Sequence, residues 1–337
     1  NALNTKSLSF SNEAGEPYKH IINEKSQEVL KKITMEKTLD LSTGYPINTI
    51  GRYLKNKFGC KVAKLALDGR FTCPNRDGSK GTGGCVFCSA TGAGDTAGDI
   101  PSQIALLSDK WPEARYIAYF QNHTNTYAPP EHLYRLYSSA LSARSDIVGL
   151  AVATRPDCLS NDVFQILEKF NKETFMWIEL GLQTIHEETA QKMNRCYSLS
   201  VFDDAVSKLH ARGIKTVPHL IFGLPGESRD MMLDSVRYIS DMNVFGLKIH
   251  LLNVLKNAPM AKLYPDYTPF DSMESYISLV CDALETISPG ITIHRMTGDA
   301  PRQILIAPEW SQKKRSILNG IHQELRRRRS YQGSVIC

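Results

Sequence analysis

Only Thr154 is polar in the run Ile147–Thr154, IVGLAVAT, and a strand of that composition has no face to give to water. It must be covered on both sides, which points to a parallel sheet wrapped by helices. The chain repeats the motif. Lys61–Asp68 (KVAKLALD), Arg115–Phe120 (RYIAYF), Met176–Leu182 (MWIELGL), Thr216–Phe222 (TVPHLIF) and Gly246–Leu252 (GLKIHLL) are further strand-like runs. Helical patterns separate them: IPSQIALLSDKW, PPEHLYRLYSSALSA with its prolines at the start, Ser160–Phe170, Ser200–Arg212 and Arg229–Met242. Six βα units of this length predict an α/β fold, a partial (β/α)6 TIM-type barrel. A short strand (Ile291–His294), a loop and a basic helix (Lys313–Arg329) follow. The reading divides the chain into an N-terminal extension (1–43, with an amphipathic helix near Ile21–Ile33), a barrel core (44–288) and a C-terminal extension packing on it (289–337).

In such barrels the chemistry sits on loops after the strands. The first of these loops carries three cysteines, Cys73, Cys85 and Cys88, with eleven residues between the first two and two between the last. Gly78, Gly81, Gly83 and Gly84 let the loop fold back and bring the thiols together. Three thiolates suit a soft metal or an iron–sulfur cluster. A tetrahedral zinc site wants a fourth ligand, and the loop has no histidine. A [4Fe–4S] cluster on three cysteines leaves one iron open, which is what reductive cleavage of S-adenosylmethionine requires. The other cysteines are scattered and read as small buried residues, so one cluster is expected.

Composition narrows the setting. No apolar run reaches the length of a membrane span, the first residues lack a signal-peptide layout, and the bunched cysteines favour a reducing cytoplasm. The net charge of +5 permits nucleic-acid contact without arguing for it. The run Arg326–Arg329 reads first as a solvated helix end and second as a phosphate contact.

The motifs LDGRFTCPNRDG, GGCVFC, YFQNHTNTYAP, ATRPDCL, ELGLQT, GLPGE, GLKIHLL, TGDAP and SYQG together resemble the radical S-adenosylmethionine superfamily, in particular the YhcC-like family related to the Elongator catalytic subunit. The resemblance runs from about Tyr53 to Gly333. It implies a radical SAM barrel and an enzyme that cleaves S-adenosylmethionine to a 5′-deoxyadenosyl radical, fed by a flavodoxin- or ferredoxin-type electron donor. It also implies roles. Cys73, Cys85 and Cys88 would ligate the cluster, and Phe87 would flank the adenine. Gln121, Asn122 and Thr124 lie in the segment that meets the methionyl amine. Glu179 and Gln183, four apart on one strand face, would hold the ribose hydroxyls, and Arg195 the methionyl carboxylate. Ile221, Gly223 and Leu251 would line the adenine. Arg195 reads nearly as well as an ordinary helix-end cation.

Relatives in that family modify the wobble uridine of tRNA, and one branch cleaves free queuine. The chain departs from the family pattern at Asn122-His123, Tyr197, Phe222, Asn253 and Ala300, all expected at the barrel mouth. That clustering favours a changed substrate: a free planar base, with queuine lyase (queuine to preQ1, with C–N bond cleavage) as the leading expectation. A tRNA wobble-uridine enzyme is the alternative, and a non-enzymatic metal-loop adaptor the third. A free base needs a carboxylate for its N–H edge and an aromatic wall. Asp157, Asp299, Tyr127 and Phe222 are the candidates, with Arg155, Tyr197 and Asn253 beside them.

Overall fold

The computed structural model describes residues 45–89, 92, 97–298 and 300–336. The expected helix near Ile21–Ile33 lies outside them, as do Asp299 and Cys337. The described strands are β1 Val62–Leu67, β2 Arg115–Phe120, β3 Ile147–Thr154, β4 Phe175–Gln183, β5 Lys215–Phe222, β6 Gly246–Leu251, β7 Val254–Leu255, β8 Thr292–Met296 and β9 Leu305–Ala307. Seven of them form one parallel sheet in the order β1-β2-β3-β4-β5-β6-β8, curled into a half-barrel. β7 and β9 pair antiparallel beside it. The six strands of the βα rhythm are thus joined by a seventh from the C-terminal segment, which the sequence placed outside the barrel.

The alternation along each strand sorts the core into two layers. Leu150, Val152, Ile178 and Leu180 face outward to a belt of helices, including Asn161–Glu173 and Leu199–Ala211. The first of these starts where Ser160 caps the Val163 amide, and it buries Val163, Phe164, Leu167 and Phe170 along one stripe. Facing inward, Ile117, Ala151, Ala153, Trp177, Val217 and Phe245 pack with Ile50 and Leu54 of the helix Ile50–Phe58. That helix plugs the N-terminal end of the half-barrel, and Thr49 caps it. It is a short helix whose apolar residues are interrupted by Arg52, Lys55, Asn56 and Lys57, and the sequence alone does not mark it. The helix Met273–Thr286 is a further element outside the sequence expectation, and it buries Tyr276, Val280 and Leu284 along one face.

Both sheet edges are covered, as edge strands need to be. On β1 the Gln103 side chain accepts the Ala66 amide at 3.1 Å. On β8 the Ile293 amide reaches Asn48 O at 2.7 Å. Gln332, from the SYQG motif, is fully buried and donates to Ser288 O and Ile291 O while accepting from the Asn48 amide. The basic run is ion-paired too: Arg328 contacts Asp282, Glu285 and Glu324, and Arg327 contacts Glu324.

Candidate active site

The cysteine loop leaves β1 and is fastened before it reaches the barrel mouth. Asn75, fully buried, donates to Asn194 O at 2.6 Å and to Cys85 Sγ at 3.5 Å. Asn194 donates back to Gly84 O at 2.8 Å and Thr82 O at 3.1 Å, and the Val86 amide bonds Met193 O at 3.0 Å. Glycine is required at position 81, where a Cβ would stand 2.2 Å from Asn75 Oδ1. The loop is therefore shaped by the segment after β4, not by its own sequence alone.

Cys73, Cys85 and Cys88 all open onto one cavity of about 480 Å³ at the C-terminal ends of the strands. Burial pushes the Cys85 thiol up to about 12, against Arg155 and the Asn75 hydrogen bond. Burial raises Cys88 as well, with Arg76 opposing. Such thiols are poor nucleophiles by themselves, and a bound metal would deprotonate them. Among the described residues no three histidine, cysteine or acidic side chains gather closely enough for a single ion. Three thiols spread along one cavity wall instead fit a multi-iron cluster, whose corners lie farther apart than the ligands of one ion.

The opposite requirement, acceptors for a cationic amine, is met after β2. His123 and Thr124 line the cavity, and His123 Nδ1 and Thr124 Oγ1 are buried without partners, as are Asn122 Oδ1 and Asn125 Oδ1 nearby. His123 sits at φ 57°, a conformation few non-glycine residues adopt and one concentrated at functional sites. Unsatisfied buried atoms of this kind suit a ligand that brings its own donors. Gln121 also lines the cavity.

On β4, Glu179, Gly181 and Gln183 face the cavity. The register against β5 shifts between Gly181 and Gln183, and Gln183 has φ 68°, so the strand end is twisted to aim that amide inward. A Cβ at Gly181 would meet Gln183 Nε2 at 2.4 Å. Glu179, expected on ribose hydroxyls, is held otherwise. Its Oε1 accepts from Trp177 Nε1 at 3.0 Å. Its Oε2 takes Tyr119 at 2.6 Å, Lys248 at 2.5 Å and His219 at 3.0 Å. Burial works to raise this carboxyl, but Lys248, His219 and Lys64 hold it well below the usual carboxylate range.

Phe87, Ile221, Leu251, Arg155, Tyr197, Asn253 and Ala300 also line the cavity. Tyr197 donates to Gly181 O and to Gln183 Oε1, and its ring lies between the guanidiniums of Arg155 (4.9 Å) and Arg195 (4.7 Å).

Other expected residues do not reach the cavity wall. Arg195 is 1% exposed, and its donors go to Leu182 O, Thr184 O, Tyr197 O and Glu187, so no fork is left for a ligand carboxylate. Asp157 accepts both arms of Arg155 at 2.9 and 3.0 Å and pairs with Lys80 at 3.1 Å. Despite burial, those two cations hold it below the usual carboxylate range. Phe222 alternates away from Ile221 and packs in the outer core. Gly223 faces Pro269 and Phe270. Tyr127 bonds Ser79 Oγ at 2.9 Å. Asn122 is buried behind the wall, and Asp299 lies outside the described residues.

The sequence reading passed over Arg76, Tyr119, His219, Lys248, His250 and Arg295, which line the cavity. A signal existed for most of them: a polar residue inside an apolar strand, as in TVPHLIF and GLKIHLL, has only the barrel interior to face.

Known proteins resemble the chain over much of its length. The Radical SAM superfamily profile matches residues 77–239, and the Radical_SAM C-terminal domain matches residues 244–327. YtqA of Bacillus subtilis is 46% identical over 85% of this chain and 91% of its own. YhcC of Escherichia coli is 35% identical over 80% of this chain and 88% of its own. A more distant relative, the tRNA uridine(34) acetyltransferase of Dehalococcoides mccartyi, is 25% identical over 58% of this chain and 42% of its own. The solved structure of Elp3 from Methanocaldococcus infernus shares the fold: TM-score 0.60 at 17% identity, over 80% of this chain and 64% of that one.

Proposed function

The chain belongs to the YhcC-like family of the radical S-adenosylmethionine superfamily, and we propose that its substrate is the wobble uridine of a tRNA. It is an enzyme of that superfamily, with a [4Fe–4S] cluster and S-adenosylmethionine as cofactors. Bound together, these supply one-electron cleavage of the sulfonium and abstraction of a hydrogen atom from a substrate carbon, given a one-electron reductant. In this reading Cys73, Cys85 and Cys88 hold the cluster. His123 and Thr124 present acceptors to the amine of the cofactor, Gln183 reaches its ribose, and Phe87 and Ile221 flank its adenine. The plugged floor keeps water from reaching the reacting atoms through the N-terminal end.

The observation that carries the substrate reading is the polarity of the lining. Among the described residues the cavity presents Arg76, Arg155, Lys248 and Arg295 but a single carboxylate, Glu179, whose oxygens are already bonded to four side chains. A 7-deazaguanine edge is rich in N–H donors and needs acceptors. Uracil presents two carbonyls around one N–H and suits a donor-rich wall. Two of the groups proposed for a free base are committed elsewhere: Asp157 to Arg155 and Lys80, Phe222 to the outer core. The likeness to a relative named for tRNA uridine(34) supports the same choice. An enzyme working on a base inside an RNA fold must receive it turned out of the stack, and a cavity at a barrel mouth admits one nucleotide in that form.

The test is direct. Reduced, cluster-loaded protein is incubated with S-adenosylmethionine and either bulk tRNA or free queuine, and both 5′-deoxyadenosine and nucleosides are read by mass spectrometry. A mass change at a wobble uridine, with queuine inert, is the expected result. Conversion of free queuine to preQ1 with tRNA untouched would overturn the proposal.

A further inference from the structure

Among the described residues, one inner wall of the cavity carries more cations than anions. Lys248 is 2% exposed and spends two donors, on Glu179 and on Tyr119 Oη at 2.8 Å. Lys64 stands with its Nζ 4.9 Å from the centre of the Tyr119 ring. Arg295 lines the cavity and makes no hydrogen bond or ion pair with any described residue. Beside these groups His250 Nε2 is buried and has no partner. Glu179 is the one carboxylate among them, so the wall carries a surplus of positive charge in a half-buried place. That is costly unless something neutralises it.

The placement of Arg295 comes from a backbone irregularity. Leu247 pairs with Ile293 but Lys248 pairs with Arg295, so β8 carries an extra residue between them. The bulge turns two consecutive side chains to the inside. His294 stacks edge-on against Trp177 at 5.4 Å, and Arg295 lines the cavity above it. A regular strand would have sent one of the two to the helices. The cysteine side has its own cations, Arg76 and Arg155, next to Cys88 and Cys85, which leaves Arg295 unneeded there.

We propose that Arg295, with Lys248 and His250, forms an anion subsite that takes an acidic oxygen group of the substrate. A guanidinium whose donors bond no described residue offers a bidentate fork to a carboxylate or a phosphate. The subsite deepens the tRNA reading, since a nucleotide can bring either group, as a phosphate of its backbone or a carboxylate on its base. The anion fixes the substrate against the wall facing the cluster, with its reacting carbon between the two.

The probes are acetate and inorganic phosphate, titrated into cluster-loaded, S-adenosylmethionine-bound protein at constant ionic strength with chloride as the balancing salt. Binding is followed by 13C and 31P line broadening. The wild type should bind one of them saturably, and Arg295→Gln should weaken that binding roughly ten- to a hundredfold. Arg295→Lys should recover part of it. Iron content on the same samples reports folding. Preference for phosphate assigns the subsite to the nucleic-acid backbone, and preference for acetate assigns it to a substrate carboxylate. Binding no stronger than chloride, or equal in wild type and Arg295→Gln, would overturn the proposal. So would a fall in S-adenosylmethionine affinity in Arg295→Gln, which would give the arginine to the cofactor. None of these readouts depends on tRNA being the substrate, so an inert tRNA would leave this result standing.

Discussion

Lys248 Nζ stands 2.5 Å from Glu179 Oε2 inside the half-barrel, with the two side chains 2% and 0% exposed. Neither charge can turn to water, so each depends on the other. Lys248→Met strands the carboxylate and should lower the unfolding free energy by about 3–5 kcal/mol. Lys248→Met combined with Glu179→Gln should recover most of that loss, because the carboxylate that the single change strands is then neutral. Urea unfolding of the three proteins measures it, and equal losses in the single and double variants would show the pair to be uncoupled.

His219 gives a pH signature. Burial, with the Lys248 charge behind it, lowers its pKa to about 4 against the pull of Glu179. The unfolded ring takes up its proton near 6.5. Between those values the unfolded state binds more protons, so stability falls as pH drops from about 6.5 to 4 and is unaffected by this group above. His219→Gln should remove a slope of at most about 1.4 kcal/mol per pH unit. Unfolding curves at several pH values test this, and parallel pH profiles would count against it.

Alanine at Cys73, Cys85 or Cys88 should abolish the visible absorbance of the reconstituted cluster and all formation of 5′-deoxyadenosine. Iron and sulfide assays decide the matter, and full content in Cys85→Ala would remove that residue from the ligand set.

Gln183 and Arg195 should part company. Gln183 lines the cavity and its amide reaches the neutral ribose, so Gln183→Ala should weaken S-adenosylmethionine binding by about 0.5–1.5 kcal/mol with iron content kept. Arg195→Ala instead strips donors from three carbonyl groups and from Glu187. It should destabilise the fold by about 3 kcal/mol or more. Titration calorimetry and urea unfolding separate the two, and a purely cofactor-binding defect in Arg195→Ala would refute this assignment.

The strands of the barrel were legible because IVGLAVAT and its companions are apolar on both faces, and the cysteine loop because its spacing is unusual. Arg195 was misplaced because sequence gives distance along the chain and says nothing of which carbonyls surround a guanidinium. Phe222 was misplaced by one step of strand alternation, since Ile221 takes the inward position. Arg295 was invisible for a related reason: a bulge in β8 changes which side chain points inward, and TIHRM carries no mark of it. Polar residues buried in strands, such as His219 and Lys248, were readable in principle, and the alternation rule would have found them.

The clamp of Asn75, Asn194 and Val86 on the cysteine loop has a thermodynamic consequence. Small zinc domains unfold on chelation because metal binding alone offsets the entropy lost in ordering their ligand loops. Here bonds to the segment Met193–Asn194 hold that loop, so its ordering belongs to the folding of the barrel. The iron inherits a loop already in shape, and a chelator that removes it should bleach the protein without melting it.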